Sequence, residues 1–362
     1  MKAAVLTKFG APLSVREVPD PVLGTGEVLV DVVAAPVLPY TGEALAGDRG
    51  FQLDLPVTIG IGAVGRVRAV GPDATRLAVG DWVLCDPTLR SRDHALTPDI
   101  MLQGWSARGE GGLRLQRPYG DGSFAEQLLV PTENAIPLGP IDPANAGRWV
   151  AATVVSLVPY GGFLAGELRP GETVVISGAT GNFGSAAVAV ALAMGAARVV
   201  APGRDEKMLA ELEKRFGSRV RTVVLTGDED TDREAMAAAG PVDLVLDLLP
   251  PSVGGGPVRA AAMTVREYGR IVLMGGVQDD LSLPYRWLMR NGITVRGQWM
   301  YPRWANLRLI ELIRSGLLDL NQFEVTEFAL DDVHAAIEHA AATGGKFHAT
   351  VLRPGNDTNP VR

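Results

Sequence analysis

Thr173-Val174-Val175-Ile176-Ser177 runs directly into Gly178-Ala179-Thr180-Gly181-Asn182-Phe183-Gly184, and an alanine-rich apolar stretch follows to Met194. The first five residues, mostly β-branched and apolar, read as a buried strand; residues 184–194 read as a helix. A glycine-rich turn between a strand and a helix has a physical use. One glycine permits the tight turn, one lets the backbone approach a pyrophosphate, and one lets the helix pack closely on the strand. The free N–H groups of the first helical turn then face the phosphates. A glycine pattern alone is weak evidence. Here the strand before it and the helix after it make Gly178, Ala179, Thr180, Gly181, Asn182, Phe183 and Gly184 candidates for holding a dinucleotide. The alternative is a strand-to-helix turn with no ligand.

Outward from this turn, strand and helix patterns alternate. Residues 198–201, 222–225, 242–246 and 270–274 read as strands, with helices over 206–216 and 260–266. Short apolar strands between helices indicate a parallel sheet covered on both faces, with right-handed crossovers. The end of the second strand discriminates between dinucleotides. An NAD site places an acid there for the ribose 2′-hydroxyl, whereas an NADP site uses a nearby arginine for the 2′-phosphate. The chain reads Ala201-Pro202-Gly203-Arg204-Asp205-Glu206-Lys207. No acid stands at Ala201 or Pro202, so Gly203, Arg204 and Lys207 point to NADP(H). The opposing reading leaves Arg204 as a solvated charge and gives the ribose to Asp205. Asp247 and Gly275-Gly276 end two strands at the edge where open α/β sheets bind ligands; Gly275 is expected near the cofactor, and Asp247 is there as a ligand neighbour or a loop cap.

The first third of the chain has a different texture. β-rich runs at 3–6, 28–33, 63–70, 82–85 and 124–130 alternate with turn signals such as Gly71-Pro72-Asp73, which suggests a compact β domain of barrel type. Residues 86–122 are polar, rich in Arg and Gly and without clear period, and read as a long functional or mobile loop, a lid or a pocket rim. An apolar helix is expected over 144–163. Beyond Gly292 the pattern gives a strand at 293–297, helices at 304–315 and 330–342, and a last strand at 348–352. The polar tail 354–362 is expected to be disordered.

Bulk composition bounds the rest. A chain of 362 residues is about the size of two domains. A formal charge of -7 and the absence of basic runs argue against nucleic-acid binding and anionic membranes. Cys85 is the only cysteine, so no intrachain disulfide forms. The N-terminus lacks a signal-peptide pattern, and no uninterrupted apolar run reaches about 18 residues. The expected location is the cytoplasm, away from membranes.

The chain resembles the medium-chain dehydrogenase/reductase superfamily, and in its zinc-lacking, quinone oxidoreductase-like branch. The resemblance covers nearly the whole length. It rests on Met1-Lys2-Ala3-Ala4-Val5, Gly26-Glu27-Val28-Leu29-Val30-Asp31-Val32, Ile59-Gly60-Ile61-Gly62-Ala63-Val64-Gly65 and Val79-Gly80-Asp81-Trp82-Val83. Gly122-Ser123-Phe124-Ala125-Glu126, Leu168-Arg169-Pro170-Gly171-Glu172-Thr173, the glycine turn and Gly269-Arg270-Ile271-Val272 continue it. It implies an α/β protein with a GroES-like, β-barrel-type catalytic domain formed by 1–140 and 297–362. A Rossmann domain with a doubly wound parallel sheet, 141–296, would bind NADP. A homodimer is also implied.

Zinc members of this superfamily carry a Cys near 37–38, a Gly-His-Glu after the fourth strand and four Cys near 90–115. Here the first segment reads Pro36-Val37-Leu38-Pro39-Tyr40, the second Gly60-Ile61-Gly62, and 86–122 has no Cys. His94, His334, His339 and His348 are scattered and read as surface or capping residues. No metal site is therefore expected. Zinc-free relatives often show Asn-Pro-Val-x-x-Tyr where this chain has Ala35-Pro36-Val37-Leu38-Pro39-Tyr40. The resemblance makes Tyr40 a candidate proton or hydrogen-bond donor; its other reading is a packing residue. Trp105, Trp299, Tyr301 and Trp304 are candidates to sandwich a flat, conjugated substrate, and Trp299–Trp304 equally a dimer interface.

Together these readings favour zinc-independent, NADPH-dependent hydride transfer to a quinone or an α,β-unsaturated carbonyl. The alternatives are a zinc-free carbonyl or alcohol dehydrogenase, and an NADPH-binding protein with little turnover.

Overall fold

A computed structural model describes residues 1–345 and 347–355; most of the tail expected to be disordered, 356–362, lies outside the described residues. The chain divides into two compact units. One comprises Met1–Val154, Leu320–Gly344 and the residues from His348 onward, the other Val155–Asp319 and Gly345–Phe347.

The first unit is built on a long central strand. β1 (Lys2–Leu6) and β2 (Ser14–Glu17) form an antiparallel hairpin, followed by β3 (Glu27–Val37) and the short helix α1 (Thr41–Ala46). β4 (Val57–Thr58), β5 (Ala63–Val70) and β6 (Trp82–Cys85) follow. β7 (Thr88–Arg90), β8 (Ile100–Leu102), β9 (Ser106–Ala107) and α2 (Gly109–Tyr119) come next, then β10 (Gln127–Pro131) and β11 (Ala135–Pro137). β3 pairs β5 along one edge. On its other edge, residues 27–31 take β10 and residues 35–37 take the last strand of the chain. That double use explains its length. Its buried Val28, Val30, Val32, Ala35 and Val37 anchor the unit's core.

Residues 86–122 correct the expectation of a structureless loop. β7, β8 and β9 make a three-stranded antiparallel sheet, and α2 covers it. Leu89, Met101 and Ala107 form a small apolar core of their own, with Leu113, Leu115 and Tyr119 packed against it. Strands of two or three residues leave no legible period in a sequence.

Helix α3 (Ala146–Ala165) carries the boundary between the units at Val154/Val155. With the 3-10 turn before it, it is long and apolar enough to cross a membrane by length and composition. Most of it is buried in the protein, as a core helix would be.

The second unit is a doubly wound sheet. β12 (Thr173–Ser177), α4 (Asn182–Ala193), β13 (Arg198–Gly203), α5 (Glu206–Phe216) and β14 (Val220–Val224) form its first half. α6 (Glu229–Ala237), β15 (Val242–Asp247), α7 (Gly255–Ala262), β16 (Val265–Leu273), α8 (Tyr285–Arg290), β17 (Thr294–Gly297) and α9 (Ala305–Arg314) complete it. The six strands are all parallel, in the order β14-β13-β12-β15-β16-β17. The direction of winding reverses between β12 and β15, the place where such sheets leave a ligand crevice. Val265 and Arg266, expected in a helix, begin β16 instead; α7 ends at Ala262.

Propensity and capping account for these elements. Helix α5 is amphipathic, burying Met208, Leu209 and Leu212, and Asp205 Oδ1 caps it by accepting the Met208 N–H at 3.0 Å. Helix α4 is apolar on every side and buried from Gly184 to Ala191, as a helix inside a covered sheet must be. At the starts of the strands, Arg270 holds Glu172 with two hydrogen bonds of 2.9 and 2.5 Å.

β18 (Glu324–Ala329), α10 (Val333–Thr343) and β19 (His348–Arg353) return the chain to the first unit, where Leu330, Val333, Ala336, Ala340 and Leu352 join its core. The division thus lies elsewhere than the sequence boundaries at 140 and 297. β17 falls in the second unit as expected, but α9 belongs to it as well, so the return begins only at Leu320.

Candidate functional site

The glycine turn closes as its residues require. Gly178 has φ +90°, a conformation costly for side chains with a Cβ, and Gly181 precedes α4 in extended conformation. A Cβ on Gly184 would collide with the Gly178 carbonyl oxygen, so only glycine lets the helix seat this close. No side chain caps α4. The N–H groups of Asn182, Phe183 and Gly184 have no acceptor within the helix and are free to bind an anion. The cradle therefore fits a pyrophosphate, with backbone donors and without side chains in the way.

Gly203 ends β13 against this turn; a Cβ there would collide with the Thr180 side chain. Arg204 and Lys207 are exposed beyond it. Asp205, between them in the chain, caps α5 through Oδ1. Across the switch point, Asp247 ends β15 only 3% exposed. Burial pushes its carboxyl up to about 6, opposed by hydrogen bonds from the Ser177 hydroxyl and the Leu249 and Gly275 N–H groups. Gly275 packs so closely on this carboxylate that a Cβ would strike it. The structure thus brings the glycine turn, Gly203, Asp247 and Gly275 to one edge of one sheet.

The sequence reading missed a neighbour of this cradle. Gly345, at φ +100°, packs against the start of α4; a Cβ there would lie 3.4 Å from the Asn182 nitrogen. Phe347 is buried beside Phe216, with the Arg215 guanidinium 4.5 Å over its ring. The pair Gly344-Gly345 before the last strand was the available signal.

Tyr40 lies in the first unit, at the start of α1. Trp105, from the lobe at 86–122, meets it edge-on with ring centroids 6.0 Å apart, and Phe51 lies 6.1 Å from Trp105. The Arg49 guanidinium sits 4.5 Å over the Tyr40 ring and donates to Glu43 at 2.7 Å. Burial pushes the Tyr40 phenol up to about 12, against smaller downward pulls from Arg49 and Trp105. It therefore holds its proton throughout the neutral range. A cavity of about 690 Å³ opens elsewhere in this unit, among Val18, Leu55, Gln116 and Leu128, and Tyr40 does not line it. Of the other aromatics, Tyr301 is buried, while Trp299 and Trp304 are 42% and 53% exposed.

The zinc positions hold no donors. Val37, Leu38 and Ile61 are buried apolar side chains. Cys85 is buried in β6, and desolvation pushes its thiol up to about 12, far from the thiolate a metal needs. His334 bonds the Leu13 carbonyl, His339 the Thr350 hydroxyl, and His348 lies 3.3 Å from Glu324. Among the described residues no group of three or more His, Cys, Asp or Glu side chains could hold a metal ion. These residues do not fit zinc.

Comparison with known proteins bears on the whole chain. Residues 24–140 match the alcohol dehydrogenase GroES-like domain, and residues 183–315 the zinc-binding dehydrogenase family. An alcohol dehydrogenase of Geobacillus stearothermophilus is 30% identical over 302 residues, covering 82% of this chain and 84% of that protein. The cobalt- and zinc-bound thermostable alcohol dehydrogenase from Pyrobaculum aerophilum superposes with a TM-score of 0.77 at 25% identity, covering 98% of this chain and 99% of that one. A zinc-binding dehydrogenase fold from Sinorhizobium meliloti 1021, bound to NADP, superposes with a TM-score of 0.79 at 22% identity, covering 98% and 99%. Two units of the expected kinds, a glycine cradle at the switch point and relatives matched over most of their length lead to one assignment: the chain belongs to the medium-chain dehydrogenase/reductase superfamily and is an NAD(P)-dependent oxidoreductase of that type.

Proposed function

We propose that this protein is a zinc-independent, NADPH-dependent reductase of quinones or α,β-unsaturated carbonyls. The observation that carries the reading is the replacement of zinc donors by buried Val37, Leu38 and Ile61, with the protonated phenol of Tyr40 nearby in the chain. Without a Lewis acid, a simple alcohol is a poor hydride donor, whereas a conjugated acceptor needs only a hydrogen-bond donor at the oxygen that gains charge.

The N–H groups of Asn182, Phe183 and Gly184 would hold the pyrophosphate, and Arg204 with Lys207 would pair the 2′-phosphate. NADPH, when bound, supplies the hydride. Tyr40 donates a hydrogen bond or proton to the enolate or quinol oxygen as charge develops there. Trp105 is buried against Tyr40 and Phe51, so it would act by holding those rings in place, while the half-buried Phe51 would offer apolar surface to a conjugated ring.

A second reading, a carbonyl or alcohol dehydrogenase working without zinc, is favoured by the alcohol dehydrogenase relative. The protein is further proposed to act in the cytoplasm as a homodimer. Edge strand β17 is exposed along its length, and Trp299, Trp304, Tyr285 and Met289 are exposed in the same unit, an apolar surface suited to a second copy.

The test is nicotinamide oxidation against a benzoquinone, an enone and an aldehyde, with NADH in parallel and Arg204→Ala beside the wild type. Turnover on the quinone or enone is expected. Arg204→Ala should weaken NADPH binding roughly 10- to 100-fold and leave NADH unchanged, the loss of a charge-assisted contact. Turnover on the aldehyde alone would replace this reading with the second. Cofactor binding without turnover on any acceptor would leave an NADPH-binding protein.

A further inference from the structure

We propose that Asp247 is a positioning residue of the cofactor site, whose carboxylate draws the ends of three strands onto one point and so shapes the floor on which the dinucleotide lies. The proposal rests on the glycine turn holding that dinucleotide. Leu249, just beyond β15, gives its N–H to Asp247 Oδ1 at 3.4 Å; Gly275, just beyond β16, packs so closely that a Cβ there would collide with Oδ2, and the Gly275 N–H and the hydroxyl of Ser177, the last residue of β12 before the turn, favour the ionised carboxyl as well.

The backbone around this point is already laced. The Leu248 N–H bonds the Ser177 carbonyl at 3.0 Å, the Met274 N–H the Asp247 carbonyl at 3.1 Å, and the Gly276 N–H the Leu249 carbonyl at 2.7 Å. Among the groups acting on Asp247, the side chain of Ser177 and the N–H groups of Leu249 and Gly275 are the hydrogen-bond donors, and no cation or second carboxylate contributes. A buried carboxylate without a countercharge is costly. Its cost is only partly offset by the donors around it, all at the edge of the sheet that carries the cradle, and its carboxyl stays raised to about 6. A plain structural residue in this place would be neutral. An acceptor for two N–H groups and a hydroxyl at once calls for a carboxylate.

The arrangement makes cofactor affinity depend on the charge of Asp247. Ionised, the carboxylate accepts all three bonds. Protonated, or replaced by the isosteric amide, it turns one oxygen into a donor facing donors, and the Leu249 and Gly275 loops part. Affinity for the cofactor should then fall as pH drops through about 6.

The test uses the full-length wild type, Asp247→Asn and Ser177→Ala, with NADPH binding followed by nicotinamide fluorescence at pH values from about 5 to 8. At about pH 8 the Asn variant should bind NADPH roughly tenfold more weakly, while Ser177→Ala should fall between it and the wild type. The ratio of the two dissociation constants, wild type to Asn, should close toward one below pH 6. Titration of the cofactor's own phosphate is common to both proteins and cancels in that ratio. Equal affinities at pH 8, or a ratio independent of pH, would overturn the proposal. Failure of the wild type to bind either dinucleotide would overturn the reading of the cradle, and the proposal with it.

Discussion

Replacing Asp247 by Asn should stabilise the second unit at neutral pH. In the unfolded chain this carboxyl titrates near 3.8, and in the fold burial raises it to about 6. Between those values the native state binds the proton that the unfolded state has lost, so stability falls as pH climbs through the window. Two pH units at ~1.4 kcal/mol each give a cost of about 3 kcal/mol above pH 6, and none below the unfolded value. At about pH 5 roughly half of it is present. The group is nearly fully buried, so solvent does not screen this cost away. Asn carries no charge and so sheds this cost, but its amide sets a donor against the Leu249 and Gly275 N–H groups, so it should recover only part of the difference. Urea unfolding followed by a signal from the second unit, at about pH 8 and pH 5, measures it. The variant should gain less than about 3 kcal/mol at pH 8, and about 1.4 kcal/mol less than that at pH 5. A variant less stable than wild type at pH 8, or one whose gain ignores pH, would refute the account of Asp247 as an incompletely compensated buried charge. A protein that gains stability while losing cofactor affinity would show the trade expected of a functional residue, not of a packing one.

Other consequences are independent of that carboxylate. Gly184→Ala should abolish measurable dinucleotide binding because its methyl meets the Gly178 carbonyl oxygen, whereas a Cβ at Gly181 would lie 3.3 Å from the same oxygen and Gly181→Ala should be mild; equal effects by calorimetry would contradict the steric argument. Glu172→Ala should cost the second unit about 3 kcal/mol by stranding Arg270, whose side chain is only 17% exposed, and an apolar pair replacing both residues should restore most of it in a denaturant titration. Tyr40→Phe should lower turnover on a quinone or enone by roughly 10²-fold with NADPH affinity unchanged. In the wild type, activity should show no limb from loss of the Tyr40 proton below about pH 10, since burial holds that proton; a strong fall in cofactor affinity in Tyr40→Phe would assign the residue a packing role.

Much of this fold is local, and local order is legible in a sequence. β12, the glycine turn and α4 follow from a β-branched run, glycines with conformational duties and an apolar helix in unbroken succession, and the structure differs from that reading by a residue or two at the ends. The parallel sheet and the β-rich first unit follow for the same reason, because each strand carries its own pattern. Three features came only with the tertiary structure. The lobe at 86–122 is held by Leu89, Met101 and Ala107, residues whose strands are too short to show a period, so its order exists only once they meet. The limits of the units depend on α9 folding with the second unit and on Gly345 and Phe347 packing within it, long-range choices that composition does not encode. The state of Asp247 depends on Ser177 and Gly275, which are distant in the chain and adjacent in the fold. A side chain's type is written in the sequence, but its electrostatic environment is a property of what folding buries beside it.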